Sequence, residues 1–120
     1  MNIGITLEGR IKQAVQLPRF GTLEDMVATS KIRKKLVGFG EQQMINWRIV
    51  PVGDSFVCGL PTTPTSVTLE DDLVVAWAKI IRNISAQNGI DANDAELYKQ
   101  ICDEADRIIE EANAENQDGE

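Results

Sequence analysis

Two amphipathic helical patterns in residues 67–112 are the best-specified feature of the chain. Apolar residues recur there at steps of three and four, which places them on one stripe of a helix with about 3.6 residues per turn. The first stripe comprises Leu69, Leu73, Trp77, Ile80, Ile81 and Ile84, and the second comprises Leu97, Ile101, Ala105, Ile108 and Ala112. Thr68 is the predicted N-cap and Gly89 the predicted left-handed C′ residue. A restart at Asp91 or Asn93 predicts an antiparallel helical hairpin.

The N-terminal residues predict a first helix. Apolar positions over 3–16 have helical spacing, with Thr6 or Asn2 as the N-cap. The helix is expected to end at Leu17-Pro18, because a residue that precedes proline avoids the helical region.

A second helical stretch begins at Thr22, which lies three residues before an aspartate in a pattern typical of a capped N-terminus. The residues expected to point inward are Leu23, Met26 and Val27, and the apolar pattern continues through Ile32, Leu36, Phe39, Met44 and Trp47. Gly38 and Gly40 interrupt the pattern. They predict either a kink or two helices, one ending near Val37 and another over 41–47.

Residues 48–58 change to strand-forming side chains, with Gly53-Asp54 as a type II′ or I′ turn between two strands. Pro51 cannot donate to a strand ladder, so the hairpin is expected at an edge or as a protruding arm. An isolated hairpin is marginally stable, so it packs on the helices or pairs with another subunit. The predicted contacts to a neighbouring subunit or to the next component of an assembly are Arg48, Val50, Val52, Asp54 and Phe56. An extended link over 60–66 follows.

A chain of 120 residues is expected to form one domain. The predicted class is mainly α, a small bundle of about four helices with a β-hairpin arm between the N-terminal helices and the C-terminal helical hairpin. The domain spans 1–112 with the arm near 48–58, and 113–120 form an acidic extension of disordered composition.

Charge is unevenly distributed along the chain. The net charge is −7, but residues 91–120 hold eleven acids against two basic residues, a net charge of −9, so the first ninety residues carry +2. Such an acidic arm repels nucleic acid and favours a basic protein partner. Alternatively, the acids keep the last helix in solution. A basic cluster in the second helix consists of Lys31, Arg33, Lys34 and Lys35. It is either a contact for phosphate or an acidic partner, or a solvated helix face.

Residues that commonly carry catalysis are scarce. The chain has no histidine and no phosphate-binding glycine loop, and Cys58 and Cys102 are isolated thiols best interpreted as small apolar residues. We therefore expect no enzymatic activity, no catalytic residue, no cofactor and no metal. No secretory signal or membrane-spanning run is apparent, which favours a protein of a reducing cytoplasm without membrane contact.

The order of elements resembles a known family. The chain contains, in this order, a helix, a capped helix ending in QQMINW, a hairpin, an LP-containing link, the helical segment LEDDLVVAWAKIIRNISAQNGID, and a last helix with a polar tail. This order is similar to that of the head-to-tail adaptor, or connector, proteins of tailed bacteriophages, especially the short-tailed type.

The resemblance implies a structural subunit of the phage neck. Copies form a ring, commonly a dodecamer, that docks beneath the portal protein, contacts a tail or nozzle protein and extends the DNA channel without sequence-specific binding. The implied location is the virion neck, after assembly in the host cytoplasm. The implied portal-gripping residues are Asn113, Glu115, Asn116, Gln117, Asp118 and Glu120.

Two other functions fit the same residues. One is a small nucleic-acid-associated packaging or regulatory protein that uses the basic cluster at 31–35. The other is a helical inhibitor-type binding protein whose acidic tail covers a basic target.

Overall fold

The computed structural model describes the backbone of residues 1–118 and the side chains of residues 1–115. Within that part of the chain, five helices make the protein 61% helical, so the prediction of a mainly helical protein is confirmed. The helices are α1 (Leu7–Gln16), α2 (Leu23–Val37), α3 (Glu41–Asn46), α4 (Asp71–Asn88) and α5 (Ala95–Asp118). The strands are β1 (Asn2–Thr6), β2 (Ile49–Val52), β3 (Ser55–Cys58) and β4 (Pro64–Thr68).

Contacts within the chain are concentrated in two units. The N-terminal unit, Asn2–Leu69, contains helices α1 to α3 and all four strands. The C-terminal unit comprises Met1 and the chain from Glu70 onward, with helices α4 and α5. The expectation that residues 1–112 form a single domain stays a prediction.

Strands β1 and β4 form a two-stranded antiparallel sheet in the N-terminal unit. Ile3 lies opposite Val67, and both side chains are buried. The hydroxyl of Thr65 donates to the backbone oxygen of Ile5 over 2.7 Å. The sheet therefore joins two segments about sixty residues apart.

Two predictions are corrected by this sheet. Residues 3–6, which the helical spacing included, form part of β1, so α1 begins at Leu7 after Thr6 and not after Asn2, and the predicted link over 60–66 contains the start of β4. Ile3 and Ile5 are two residues apart, which is the period of a strand. Pro64 is tolerated because it occupies the first position of β4.

Threonine hydroxyls cap the first two helices. Thr6 Oγ1 accepts from the Gly9 N–H and Thr22 Oγ1 from the Asp25 N–H, each over 3.1 Å. Each cap stabilises its helix by about 1 kcal/mol. Thr6, one of the two alternatives for the N-cap of α1, and Thr22 are confirmed as caps. The prediction of two separate helices, and not one kinked helix, around Gly38 and Gly40 is also confirmed, since α2 ends at Val37 and α3 is a separate helix.

The buried face of α2 agrees with the predicted pattern at Ile32 and Leu36 and differs from it at the start of the helix. Its buried residues are Thr29, Ile32 and Leu36. Leu23 is 83% exposed and Val27 is 47% exposed, so the prediction that they point inward is wrong. Leu23 precedes Ile32 by nine residues, which places it about 180° round the helix. Thr29 is accommodated in the interior because its hydroxyl donates to Asp25 O over 2.7 Å.

The predicted hairpin is confirmed as antiparallel strands β2 and β3, with Val52 opposite Ser55. Gly53 has a φ of +60° and Asp54 a negative φ, the pattern of a type II′ turn. Strand β3 contacts α1 and strand β2 contacts α3. The hairpin is thus packed on helices of its own unit.

Helix α4 begins later than predicted. Its N-cap is Glu70, whereas Thr68 ends β4 and its hydroxyl donates to the side-chain oxygen of Asn2 over 2.7 Å. The helix ends as expected at Gly89, which has a φ of +78° and donates its N–H to Ser85 O over 3.3 Å. The glycine is required because other residues adopt this conformation only with strain.

A short turn connects α4 with α5. The Asp91 carboxylate accepts from the Asn93 N–H over 2.8 Å, an Asx turn that precedes the first residue of α5. Halfway along the two helices, Arg82 pairs with Asp106 over 2.9 Å. The two helices contact each other, which confirms the predicted helical hairpin.

The predicted core of the helical hairpin is largely correct. Predicted residues that are buried are Leu69, Leu73, Trp77, Ile80, Ile81, Ile101 and Ala105. Ile84, Leu97 and Ile108 are half-buried. Ala112 is exposed, so its assignment to the core is wrong. Val74, Ala78 and Tyr98 are buried in addition. The buried stripe of α5 therefore ends one turn before Ala112.

Helix α5 continues into the predicted extension as far as Asp118. Asn113 and Glu115 are exposed on it. The side chains of Asn116, Gln117 and Asp118 lie outside the described residues, as does the whole of Glu120.

Two side-chain substitutions test which face of α2 is buried. Ile32→Ala is expected to lower the free energy of unfolding by about 2–5 kcal/mol, because it removes fully buried methyl groups. Leu23→Ala, its control on the opposite side, is expected to change it by less than about 0.5 kcal/mol. Urea denaturation followed by circular dichroism measures both, and equal losses would contradict the assignment.

Candidate functional site

A buried arginine organises the N-terminal unit. Arg10 follows Leu7 by three residues on the inward stripe of α1 and is only 8% exposed. Its Nε donates to Leu36 O over 2.7 Å and one terminal nitrogen donates to Lys35 O over 3.1 Å. These carbonyls belong to the last turn of α2, which has no backbone donors left to satisfy them. Burial lowers the pKa of Arg10.

The end of α2 also requires a glycine. The Gly38 N–H donates to Lys34 O over 2.9 Å. A Cβ at this position would lie 2.2 Å from that same oxygen, so no other residue fits without moving the backbone. Gly38 and Arg10 together satisfy three successive carbonyls of α2.

One aromatic ring lies beside the guanidinium, and two further rings pack against that ring. The Arg10 carbon Cζ is 4.9 Å from the centre of the Phe39 ring, a cation–π distance. Phe39 makes edge-to-face contacts with Trp47, at 6.2 Å between ring centres, and with Phe56, at 5.6 Å. Because Phe56 is on β3 and Trp47 follows α3, this cluster connects the hairpin to the helices.

A cleft of about 540 Å³ opens between α1, α2 and the hairpin. This volume is within the range of about 300–1,000 Å³ that is typical of binding pockets. Its apolar lining residues are Ile11, Ala14, Val15, Pro18, Met26, Val37 and Phe56. Its polar lining residues are Arg19, Thr29, Arg33, Asp54 and Ser55. The cleft can receive an apolar side chain next to a charged group.

The two guanidinium groups of the cleft differ in whether a carboxylate pairs with them. Arg19 lies 3.7 Å from the Asp54 carboxylate, and both side chains are mostly exposed. Arg33 is half-buried, and among the described residues it makes no ion pair or hydrogen bond. A half-buried cation without a counter-charge favours binding of an external anion.

The structure divides the predicted basic cluster. Lys31, Lys34 and Lys35 are exposed within an arc of about 100° on α2. Arg33 lies about 160° round the helix from Lys31 and lines the cleft. The contact role of these four residues stays a prediction, and Arg33 alone of the four lines this cleft.

The outer face of the hairpin is apolar and exposed. Val50 and Val57 are opposite each other, and Val52 is two residues from Val50 on the same face. The three side chains, here named the valine face, are 57%, 58% and 56% exposed in that order. Phe56 points to the other face and lines the cleft.

The predicted contact residue Arg48 stands at the base of the hairpin. It is exposed and has a φ of +53°, a rare conformation for a residue with a side chain. Its backbone oxygen accepts from the Gly59 N–H over 2.9 Å. A Cβ on Gly59 would lie 2.7 Å from the Cβ of Arg48, so the glycine makes room for the strained residue.

Helix α5 has an acidic surface that is partly neutralised by its own ion pairs. Lys99 pairs with Asp103 over 2.6 Å, and Arg107 pairs with Glu104 and with Glu111. The hydrogen bond from Arg107 lowers the pKa of Glu104. Glu110 is exposed and makes no such pair among the described residues.

Cys102 is half-buried on α5, and burial is the main cause of its raised pKa. The nearby Arg82 opposes this shift, while Asp106 and Asp103 add to it. The thiol is therefore protonated near neutral pH, which makes it a poor nucleophile. Cys58 donates its Sγ–H to Trp47 O over 3.4 Å.

Within the described residues, no group of three acidic or cysteine side chains is placed to hold a metal ion. In the same part of the chain, no helix combines the length and apolar character needed to span a bilayer.

The sequence did not single out Arg10 or the cleft. A charged residue on the inward stripe of α1 is the signal that marks Arg10. The cleft has no local signal, because its lining comes from three separate segments. No family model matches the chain, and no curated protein and no solved structure is significantly similar to it.

Replacement of the buried cation tests its structural role. Arg10→Leu is expected to lower the free energy of unfolding by about 2–4 kcal/mol, because two α2 carbonyls lose a charged donor. Lys31→Leu, an exposed control on α2, is expected to change it by less than about 0.5 kcal/mol. Urea denaturation followed by tryptophan fluorescence provides the comparison, and a neutral Arg10→Leu would disprove the role.

The protonation of Cys102 is open to chemical measurement. In the Cys58→Ser variant, alkylation by iodoacetamide is expected to be slower than for a free thiol at pH 8, and to accelerate as pH rises. The pKa of Cys102 is higher in the folded chain than in the unfolded chain. The free energy of unfolding that this thiol contributes is therefore present at pH values below the pKa of the unfolded chain and is lost as the pH rises through the pKa of the folded chain. Mass spectrometry of timed samples measures the rate; alkylation as fast as that of the urea-unfolded chain would contradict it.

Proposed function

We propose that this chain is a non-catalytic structural subunit that assembles with copies of itself. The observation that carries the proposal is the distribution of exposed apolar side chains. Of the ten large apolar side chains that are exposed among the described residues, nine lie in the N-terminal unit, including the whole valine face. The valine face is a contiguous exposed apolar surface, and such surfaces are typical of protein interfaces.

The proposed assembly is the ring of a phage neck. The ring joins the portal protein to a tail or nozzle protein and extends the DNA channel, as the resemblance to head-to-tail adaptor proteins implies. The expected dodecamer, the packing of the helices as one bundle, and the location in the virion after assembly in the host cytoplasm belong to this proposal. The exposed Asn113 and Glu115 on α5 are available for a portal contact.

Charge supports passage of DNA through such a ring. The chain carries a net charge of −7, which opposes tight binding of a polyanion. Lys31, Lys34 and Lys35 are the exception, since they lie exposed on one side of α2. They favour the alternative of a nucleic-acid-associated protein, which requires salt-dependent DNA binding that is lost when the three lysines and Arg33 become alanine.

The valine face is the part of the proposal that mutation tests most directly. Val50→Lys with Val57→Lys is expected to convert rings into monomers, because each interface would then bury two unpaired charges. Native mass spectrometry and negative-stain electron microscopy, each with and without a portal ring, measure the assembly state.

The matched control adds the same charges elsewhere in the N-terminal unit. Thr62→Lys with Ser66→Lys changes two exposed positions outside the hairpin and is expected to preserve the rings. Rings that survive the paired valine changes would exclude the valine face as an interface. A wild-type chain that is monomeric both alone and with a portal ring would refute the proposed function.

A further inference from the structure

The two units of the chain carry opposite charge. The N-terminal unit has eight Lys and Arg residues and five Asp and Glu residues, a net charge of +3. The C-terminal unit has four of the former and fourteen of the latter, a net charge of −10. Copies of such a chain attract each other when the basic unit of one faces the acidic unit of the next.

The basic unit contains a concave surface with an unsatisfied cation. The cleft combines an apolar floor with Arg33, which is half-buried and has no counter-charge among the described residues. The other cationic side chain of the cleft, Arg19, is already paired with Asp54. The surface therefore fits a ligand that presents an apolar side chain beside one carboxylate.

The acidic unit presents that combination. Ile109 is 42% exposed, and it is the one large apolar side chain exposed in the described part of the C-terminal unit. Glu110, the next residue on α5, is exposed, and no Lys or Arg pairs with it in the described residues. Glu104 and Glu111 are engaged by Arg107, which leaves Glu110 as an available carboxylate.

We propose that the cleft of one subunit receives helix α5 of a second copy, with Ile109 against the apolar floor and Glu110 paired with Arg33. This inference rests on the proposed self-assembly and adds a second contact to that of the valine face. The two surfaces are different, so the contact is heterologous, and repetition from copy to copy closes a ring when the rotation permits. The occupant is a second copy because its charge and apolar residue match the cleft.

A charge-reversal experiment tests the pair. Arg33→Glu and Glu110→Arg, each as a single variant of the full chain, are expected to weaken ring formation at least about tenfold, because each places like charges at the contact. Native mass spectrometry over a dilution series measures the concentration at which rings dissociate. Lys31→Glu makes the same charge change on α2 outside the cleft and is expected to leave that concentration unchanged.

Mixing the variants separates a pairwise contact from a general charge effect. An equimolar mixture of the two single variants is expected to form rings again, since interfaces of unlike charge are then available. The double variant is expected to do the same. Failure of both to restore rings would overturn the pairing.

Folding is monitored in parallel by urea denaturation, and Arg33→Gln provides a neutral variant that removes the charge without reversing it. It is expected to weaken the rings less than Arg33→Glu does. If the wild type forms rings and Arg33→Glu, though folded, forms them equally well, the inference fails while the proposed function stands. A monomeric wild type refutes both.

Discussion

The guanidinium of Arg10 supplies the hydrogen bonds that helix α2 lacks at its C-terminal end. Burying a cation is costly unless its donors are satisfied and a negative potential faces it. The carbonyls of Lys35 and Leu36 and the negative end of the α2 dipole provide both. The ring of Phe39 lies beside the same guanidinium and packs edge-to-face against Trp47 and Phe56. One side chain thus sets how α1, the end of α2 and the hairpin are arranged, and this arrangement forms the cleft.

Elements specified by neighbouring residues were predictable from sequence, and those that depend on distant residues were not. The caps at Thr6 and Thr22, the turn at Gly53 and the end of α4 at Gly89 are local, and each is found where its residues indicate. The sheet of β1 and β4 pairs segments about sixty residues apart, and neither strand has more than five residues. Such short strands show too few alternations to be distinguished from a helix start or an extended link.

The candidate site was predictable only in part. Sequence grouped Lys31, Arg33, Lys34 and Lys35 as one basic cluster, but a helix turns about 100° per residue and separates Arg33 from the lysines. Whether a given position faces a cleft depends on the elements packed against it. For α2, these include α1, whose placement depends on the interior contact at Arg10. In the sequence, the one sign of this contact was that Arg10 is a charged residue on the inward stripe of α1. Its role could be recognised only from the structure.

Apolar surface and charge have separate roles in the proposed assembly. The valine face offers exposed apolar area, which supplies free energy of association without fixing orientation. The opposite charges of the two units contribute little affinity in water but disfavour contacts between like units. Symmetric pairing of two N-terminal units through their valine faces is disfavoured, because both units carry a net positive charge and repel each other. Head-to-tail contact brings opposite charges together, and it is the kind of contact that generates rings of many copies in place of closed dimers.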